Sequence, residues 1–321
     1  MKGIDGKEKS ASNNRSRPYA AYAQLFLGMA TFGSATPVSK IVAGAVPVFI
    51  GSLLRVGLGA LVLAPFAWRR RDQLREMRRK QWLLLALIAV LGMFGFSVLM
   101  LVGMKMVSGV VGAIIMSTTP AVTAAASMLF MRDQPTWRKL AAIGLAVCGI
   151  TVIQLGGDSD QMLSADNGNL VVGSAMVFCA VCCEAAYTLL GKKLTETISP
   201  VLASFLAAAA SLPLFIPFAA WQWSIVSWAH IEPGQWAALA WYGAGTLAFG
   251  TWLWYSGVSK TEGSIAAGFM GVMPVSALVL SYVLLGDAFH WLHALGFSIV
   301  FSGVLLISVE HARAASTDSS A

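Results

Sequence analysis

Long apolar runs separated by short polar gaps fill this chain from about residue 19 to residue 309. A helix needs about 20 mostly apolar residues to cross the hydrocarbon core of a bilayer. Ten runs fit that length, at residues 19–42, 47–68, 82–104, 108–131, 137–155, 170–190, 200–221, 236–258, 264–285 and 289–309. Several begin or end at tryptophan, among them Trp68, Trp82, Trp137, Trp221 and Trp236. Tryptophan favours the interface between lipid and water. Most connections are short, which predicts a compact all-α membrane bundle of ten transmembrane helices with no soluble domain between them. Residues 1–18 and 310–321 are polar and are expected to be disordered tails. The first tail lacks the apolar core of a cleavable signal peptide.

Composition sharpens this picture. Hydrophobic residues make up 57% of the 321 and charged residues 12%. A soluble protein of this size needs far more charge on its surface. The net charge of +7 could suggest nucleic acid. The basic residues instead cluster in the gaps between apolar runs, so no nucleic-acid partner is expected.

Their placement carries topology. On the side of the N-terminal tail lie Lys2, Lys7, Lys9, Arg15 and Arg17, and then the run WRRRDQLREMRRK. Arg132, Arg138, Lys139, Lys192, Lys193, Lys260 and Arg313 follow on that side, which then holds 19 of the 22 basic residues. Lys40 and Lys105 fall near the outer ends of their runs, and Arg55 lies inside a run. The long loops GGDSDQMLSADNG and WSIVSWAHIEPGQ contain no Lys or Arg. Cytoplasmic loops carry the excess of Lys and Arg, so both termini are expected in the cytoplasm, which agrees with an even number of spans.

Cys148, Cys179, Cys182 and Cys183 all lie in apolar runs. Disulfide staples favour exposed loops of oxidising compartments, so these read as membrane-buried thiols. The C-x-x-C-C spacing has no nearby histidine to complete a metal site, and no metal is expected.

The chain repeats itself. Shifted by 154 residues, Pro120 falls on Pro274, Asp133 on Asp287, Trp137 on Trp291 and Gly149 on Gly303. Proline, aspartate and tryptophan are scarce enough in such a chain for their preserved spacing to count. An offset of 153 pairs Lys40 with Lys193 and Pro47 with Pro200. The reading is a tandem duplication of five spans. Five is odd, so the second copy enters the membrane the other way up. The loop MRDQPTWRK carries three basic residues, whereas its counterpart LGDAFHWLH carries none. Inverted repeats of this kind are an architecture of secondary transporters, with the substrate site near the midplane between the copies.

The two signatures GVVGAIIMSTTPAVTAAASMLFMRDQPTWRKLAAIGLAVCGITVI and GSIAAGFMGVMPVSALVLSYVLLGDAFHWLHALGFSIVFSGVLLI carry a family resemblance. With ten spans in two copies, the chain resembles the EamA-type exporters of the drug/metabolite transporter superfamily. It is also similar to bacterial amino-acid exporters of the YddG type. The resemblance implies export of aromatic and other neutral amino acids, or similar metabolites, across the inner membrane. It also implies a central cavity bounded by spans one to four and six to nine, with spans five and ten outside it. The domains would then be residues 19–155 and 169–309, joined by a periplasmic linker at 156–168.

Candidate pathway residues come from polar and aromatic positions at helical spacing. Span one offers Gln24, Thr31 and Ser34 on one face. Span three offers Phe94 and Ser97, and span six groups Glu184, Tyr187 and Thr188. Span eight forms a stripe of Tyr242, Thr246, Phe249, Leu253 and Ser256, and span nine adds Met270 and Met273. In the stretch IIMSTTPAV, Pro120 removes the backbone donor for the Met116 carbonyl, as Pro274 does for Met270. Ser117, Thr118 and Thr119 can supply hydroxyls there, whereas the second copy has Gly271, Val272 and Met273. Each proline is read either as a hinge beside the pathway or as a packing kink, and each stripe either as cavity lining or as helix contact.

Arg55 and Glu184 are the two charges well inside spans, where an ionisable side chain is a functional candidate. Counted along their spans, they differ in depth by roughly 9 Å at about 1.5 Å per residue. That argues for separate roles. Arg55 would line the outer half of a cavity or contact helix carbonyls. Glu184 would sense protons or a substrate amino group, or would be a structural carboxylate reaching water. The chain lacks the G-x-x-x-x-G-K-[ST] loop of an ATPase. No histidine set of an intramembrane enzyme and no charged ring of a channel appears, so a catalytic role and a cofactor are not expected. The two fused copies would take the place of a dimer, which suggests a monomer.

Overall fold

The computed structural model describes residues 5–131, 134–155, 167–261 and 263–318. Its described residues are helical with no strand. In chain order they form α1 (Asp5–Ala45), α2 (Val48–Trp68), α3 (Arg79–Met106), α4 (Gly109–Met116 and Thr119–Met131) and α5 (Trp137–Leu155). Then come α6 (Asn167–Thr195), α7 (Pro200–Gln222), α8 (Pro233–Ala240, Trp241–Phe249 and Gly250–Val258), α9 (Gly263–Phe269 and Val272–Leu285) and α10 (Trp291–Asp318). Among the described residues, seven helices are long and apolar enough to cross a membrane, contributed by α1, α2, α3, α4, α6, α7 and α10. The protein is a multi-pass membrane protein. The other three are shorter or more polar: α5 has 19 residues and includes Arg138 and Lys139, and α8 and α9 are built from shorter pieces.

Local chemistry sets several ends. Pro200 and Pro233 occupy first-turn positions of α7 and α8, where the missing N–H costs nothing. Ser108 caps α4 by accepting a hydrogen bond from the Val111 N–H at 3.2 Å. Gly286 ends α9 in the left-handed region at φ 66°, which only glycine adopts freely. Large apolar side chains remain exposed along the helices, among them Leu61, Phe66, Leu83, Phe130 and Val283. Trp68, Trp82, Trp137, Trp221 and Trp291 are also exposed near helix ends. In water this surface would be a liability, but in lipid it is the solvated face.

Three expectations change. Residues 5–18 and 310–318 continue α1 and α10 instead of forming disordered tails. Residues 7–17 contain no glycine or proline and extending an existing helix avoids the cost of nucleation, although Pro18 at the join lacks the backbone donor for the Asn14 carbonyl. The prolines in α4 and α9 follow real breaks, not smooth kinks. Turns at Ser117–Thr118 and Met270–Gly271 divide the helices just before Pro120 and Pro274. Finally, α3 and α8 contain wider π-type segments, Ile88–Gly95 and Trp241–Phe249. Both the π segments and the turns recur at an offset of 153 residues, close to the spacing read in the sequence. Asp133 and most of the 156–168 linker lie outside the described residues.

The main packing joins the first half to the second. Helix α2 lies along α7 and α5 along α10; α1 packs against α8 and α9, and α6 against α3 and α4. Glycines permit the close crossings. A Cβ on Gly149 would lie 2.8 Å from the Gly296 carbonyl, and one on Gly303 would lie 3.1 Å from the Ala142 carbonyl. Arg138 and Glu310 add a salt bridge of 2.8 Å between α5 and α10. The end bearing the basic loops is also tied by Lys260 to Gln24 and by the Ser199 N–H to Gln73. At the opposite end Lys40 donates to the Val107 carbonyl at 2.6 Å, and Asp287 accepts from the Val110 N–H at 2.8 Å.

Candidate functional site

The break in α4 shows where the displaced carbonyl goes. Pro120 cannot donate to Met116, and the Thr119 hydroxyl donates to that carbonyl instead, at 2.7 Å. Ser117 donates to the Ala113 carbonyl and Thr118 to that of Ile115, each at 2.7 Å. Ser117 and Thr118 are buried, so both expected pathway hydroxyls are committed to their own helix. Thr119 reaches further. Its hydroxyl also bonds Glu184 Oε2 on α6 at 3.1 Å, so a single hydrogen serves two acceptors.

A second polar centre lies on α2, α3 and α8. Arg55 is 8% exposed and donates through Nη1 to Ser97 Oγ at 2.7 Å. Its guanidinium lies over the rings of Phe96, at 5.1 Å, and Tyr242, at 4.6 Å. Close approach of α8 to α2 makes this possible, because Gly243 faces the Arg55 carbonyl. No carboxylate forms a salt bridge with Arg55 among the described residues. Burying such an ion costs several kcal/mol. Two desolvated cation–π contacts contribute about 2 kcal/mol each, and a charge-assisted hydrogen bond contributes about 1.5–3 kcal/mol. These are of the same order, so the cation is tolerated without a counter-charge. Arg55 Nε and the Tyr242 hydroxyl are buried and have no hydrogen-bond partner.

The two centres sense one another. Glu184, Tyr187 and Tyr242 all lie within electrostatic range of Arg55. Arg55 and Glu184 do not form a direct pair, in keeping with their difference in depth. Tyr187 approaches Ser204 at 3.5 Å and packs on Gly92 in the π segment of α3. Phe94 joins Phe49, Phe215 and Phe218 in an aromatic cluster.

Other expected residues separate from this centre. Gln24 bonds Lys260 near the basic end. Thr31 is buried and bonds the Leu27 carbonyl; Ser34 bonds that of Thr31 and accepts from the Trp241 indole at 2.8 Å. Thr246 is buried and donates to the Tyr242 carbonyl. Thr188 is exposed and donates to the Glu184 carbonyl one turn earlier, at 3.0 Å. The span-eight stripe also breaks: Tyr242, Thr246 and Leu253 are buried, but Phe249 is exposed. Phe249 ends the π segment, where the wider turn departs from uniform helical spacing. Met270 is exposed at the break in α9, and Met273 is half-buried with its carbonyl accepting from Ser276. A cavity of about 320 Å³ near the basic end is lined by Phe130, Met131, Lys192, Lys193 and Glu196, none of them an expected pathway residue. The four cysteines are free, and no cluster of metal-ligating residues occurs among the described residues.

Known proteins share this organisation. The model of the EamA-like transporter family matches twice, at residues 20–155 and at residues 171–309. The chain belongs to this family. An uncharacterized transporter of Bacillus subtilis (strain 168), YetK, is 29% identical over 90% of this EamA-like chain and 87% of its own length. An S-adenosylmethionine/S-adenosylhomocysteine transporter of Chlamydia trachomatis serovar L2 is 27% identical over 90% of this chain and 89% of its own. One crystal structure superposes with a TM-score of 0.62 over 92% of this chain and 98% of the other. At 16% identity it speaks for the fold of this EamA-like protein alone.

Proposed function

We propose that this protein is a secondary transporter that exports amino acids, aromatic and neutral ones foremost, or similar small metabolites by alternating access. It works in a bacterial inner membrane with both termini in the cytoplasm, as two inverted five-helix repeats at residues 19–155 and 169–309. The observation that carries this reading is that two polar centres are each built from both halves. Arg55, Ser97 and Thr119 come from α2, α3 and α4, whereas Glu184 and Tyr242 come from α6 and α8. A site assembled this way changes when the halves move against one another. The doubled family match, the π segments and turns recurring at one offset, and the basic loops gathered at one end support the repeat. The relative named for S-adenosylmethionine supports the substrate class, since that metabolite carries an amino-acid head group.

Glu184 links charge to the break in α4. Ionised, it competes with the Met116 carbonyl for the Thr119 hydrogen. Protonated, it donates to Thr119 and leaves that hydrogen to Met116. Protons are thereby a candidate driving ion. Purified protein in liposomes, loaded with a labelled amino-acid panel at two pH values, tests both parts. Saturable efflux and counterflow of neutral amino acids are expected. Movement of sugars or cationic drugs but of no amino acid would overturn the substrate class. Normal transport with unchanged pH dependence in Glu184→Gln would remove the proton role.

A further inference from the structure

We infer that Arg55 is the anchor for the substrate's carboxylate, with the Tyr242 hydroxyl as its second donor. This inference rests on the amino-acid reading above. Nη1 of Arg55 is taken by Ser97. The opposite edge of the guanidinium is formed by Nε and Nη2, and Nε is buried without a partner. That edge presents two parallel N–H groups, which match the two oxygens of a carboxylate. The Tyr242 hydroxyl is also unpartnered, and the residue is 1% exposed. The two unpartnered atoms belong to side chains that are in contact, with the guanidinium 4.6 Å from the centre of the Tyr242 ring and the hydroxyl left free.

The chemistry of the occupant follows from charge. Arg55 brings one positive charge with no salt-bridge partner among the described residues, which one carboxylate balances. A phosphate dianion would lack a second cation and would face Glu184, which lies within electrostatic range of Arg55. The same carboxylate attracts an ammonium group. A molecule that carries an anionic group beside a cationic one satisfies both, and the head group of an α-amino acid has that form. The rings of Phe96 and Tyr242 brace the guanidinium and so fix the direction of its remaining edge.

The test compares phenylalanine with phenethylamine, which keeps the ring and the amine but lacks the carboxylate. The protein in liposomes is assayed for phenylalanine counterflow, and in detergent for the shift in melting temperature that each compound causes. In the unchanged protein, phenylalanine is expected to compete and stabilise, and phenethylamine to do so weakly. Arg55→Gln is expected to weaken phenylalanine roughly ten- to hundredfold, the loss of charge-assisted hydrogen bonds, while phenethylamine is unaffected. Tyr242→Phe keeps the ring over Arg55 and removes only the hydroxyl. It is expected to weaken phenylalanine several-fold, so the proposal stays open to test even where Arg55→Gln does not fold. Amino-acid transport with the carboxylate preference intact in these variants would overturn the anchor and leave the substrate class standing. Failure of the unchanged protein to bind or move any amino acid would overturn both.

Discussion

Gly243 is the point at which α8 touches α2, and enlarging it should disturb the Arg55 centre from behind. A Cβ there would lie 2.6 Å from the Arg55 carbonyl oxygen and 2.8 Å from Leu58 Cβ, where ordinary contacts are 3.4–4 Å. Neither neighbour is the far end of a flexible side chain, so one of the helices must shift. Overpacking of this kind costs about 1–3 kcal/mol. Alanine returns about 0.5–1 kcal/mol of backbone entropy inside a helix. The clash wins, and Gly243→Ala should lose about 1–2 kcal/mol. At roughly 2–4 °C per kcal/mol, the melting temperature in detergent should fall by a few degrees. Tyr242 moves with the backbone, so half-saturation for transport should rise as well. Gly191→Ala on α6 is the control, because a Cβ there meets nothing within 4 Å. It should match or exceed the parent in stability and transport normally. If Gly243→Ala melts with the control and keeps its half-saturation, the argued contact between α8 and α2 is wrong.

Thr119→Val keeps the shape and removes the donor that serves both Met116 and Glu184. An unsatisfied carbonyl in lipid should destabilise the protein by about 1–3 kcal/mol, and the pH profile of transport should shift with it. Gly149→Leu and Gly303→Leu should both lower the melting temperature and leave substrate preference alone, because both act at the crossing of α5 and α10; the loss should be larger at 149, where a Cβ would lie 2.8 Å from the Gly296 carbonyl against 3.1 Å from that of Ala142 at 303. A larger loss at 303, or a change in preference, would count against these contacts.

Much of this fold is legible because a membrane simplifies the code. Length and apolarity mark the helices, and the scarce residues Pro120, Asp133 and Trp137 expose the repeat against a monotonous background. Arg55 and Glu184 stand out for the same reason, as charges where charges are costly. Their partners do not. Ser97 and Thr119 are ordinary hydroxyl residues, and which of them meets a charge depends on how helices rotate against each other. The π segments Ile88–Gly95 and Trp241–Phe249 are harder still, since uniform periodicity assumes one turn size throughout. That assumption misplaced Phe249, although it kept Tyr242 and Thr246 on the buried side.

The crossing of α5 and α10 bears on how such a chain arose. Gly149 approaches the Gly296 carbonyl, and Gly303 approaches that of Ala142. Adding 154 to 149 and 142 gives 303 and 296, so exchanging the copies turns one contact into the other. This is the signature of an isologous interface, in which one surface patch meets itself across a two-fold axis. Two separate copies carrying this patch would pair through it. In one chain the pairing is intramolecular and each half is free to differ, as Thr119 and Met273 do at corresponding positions.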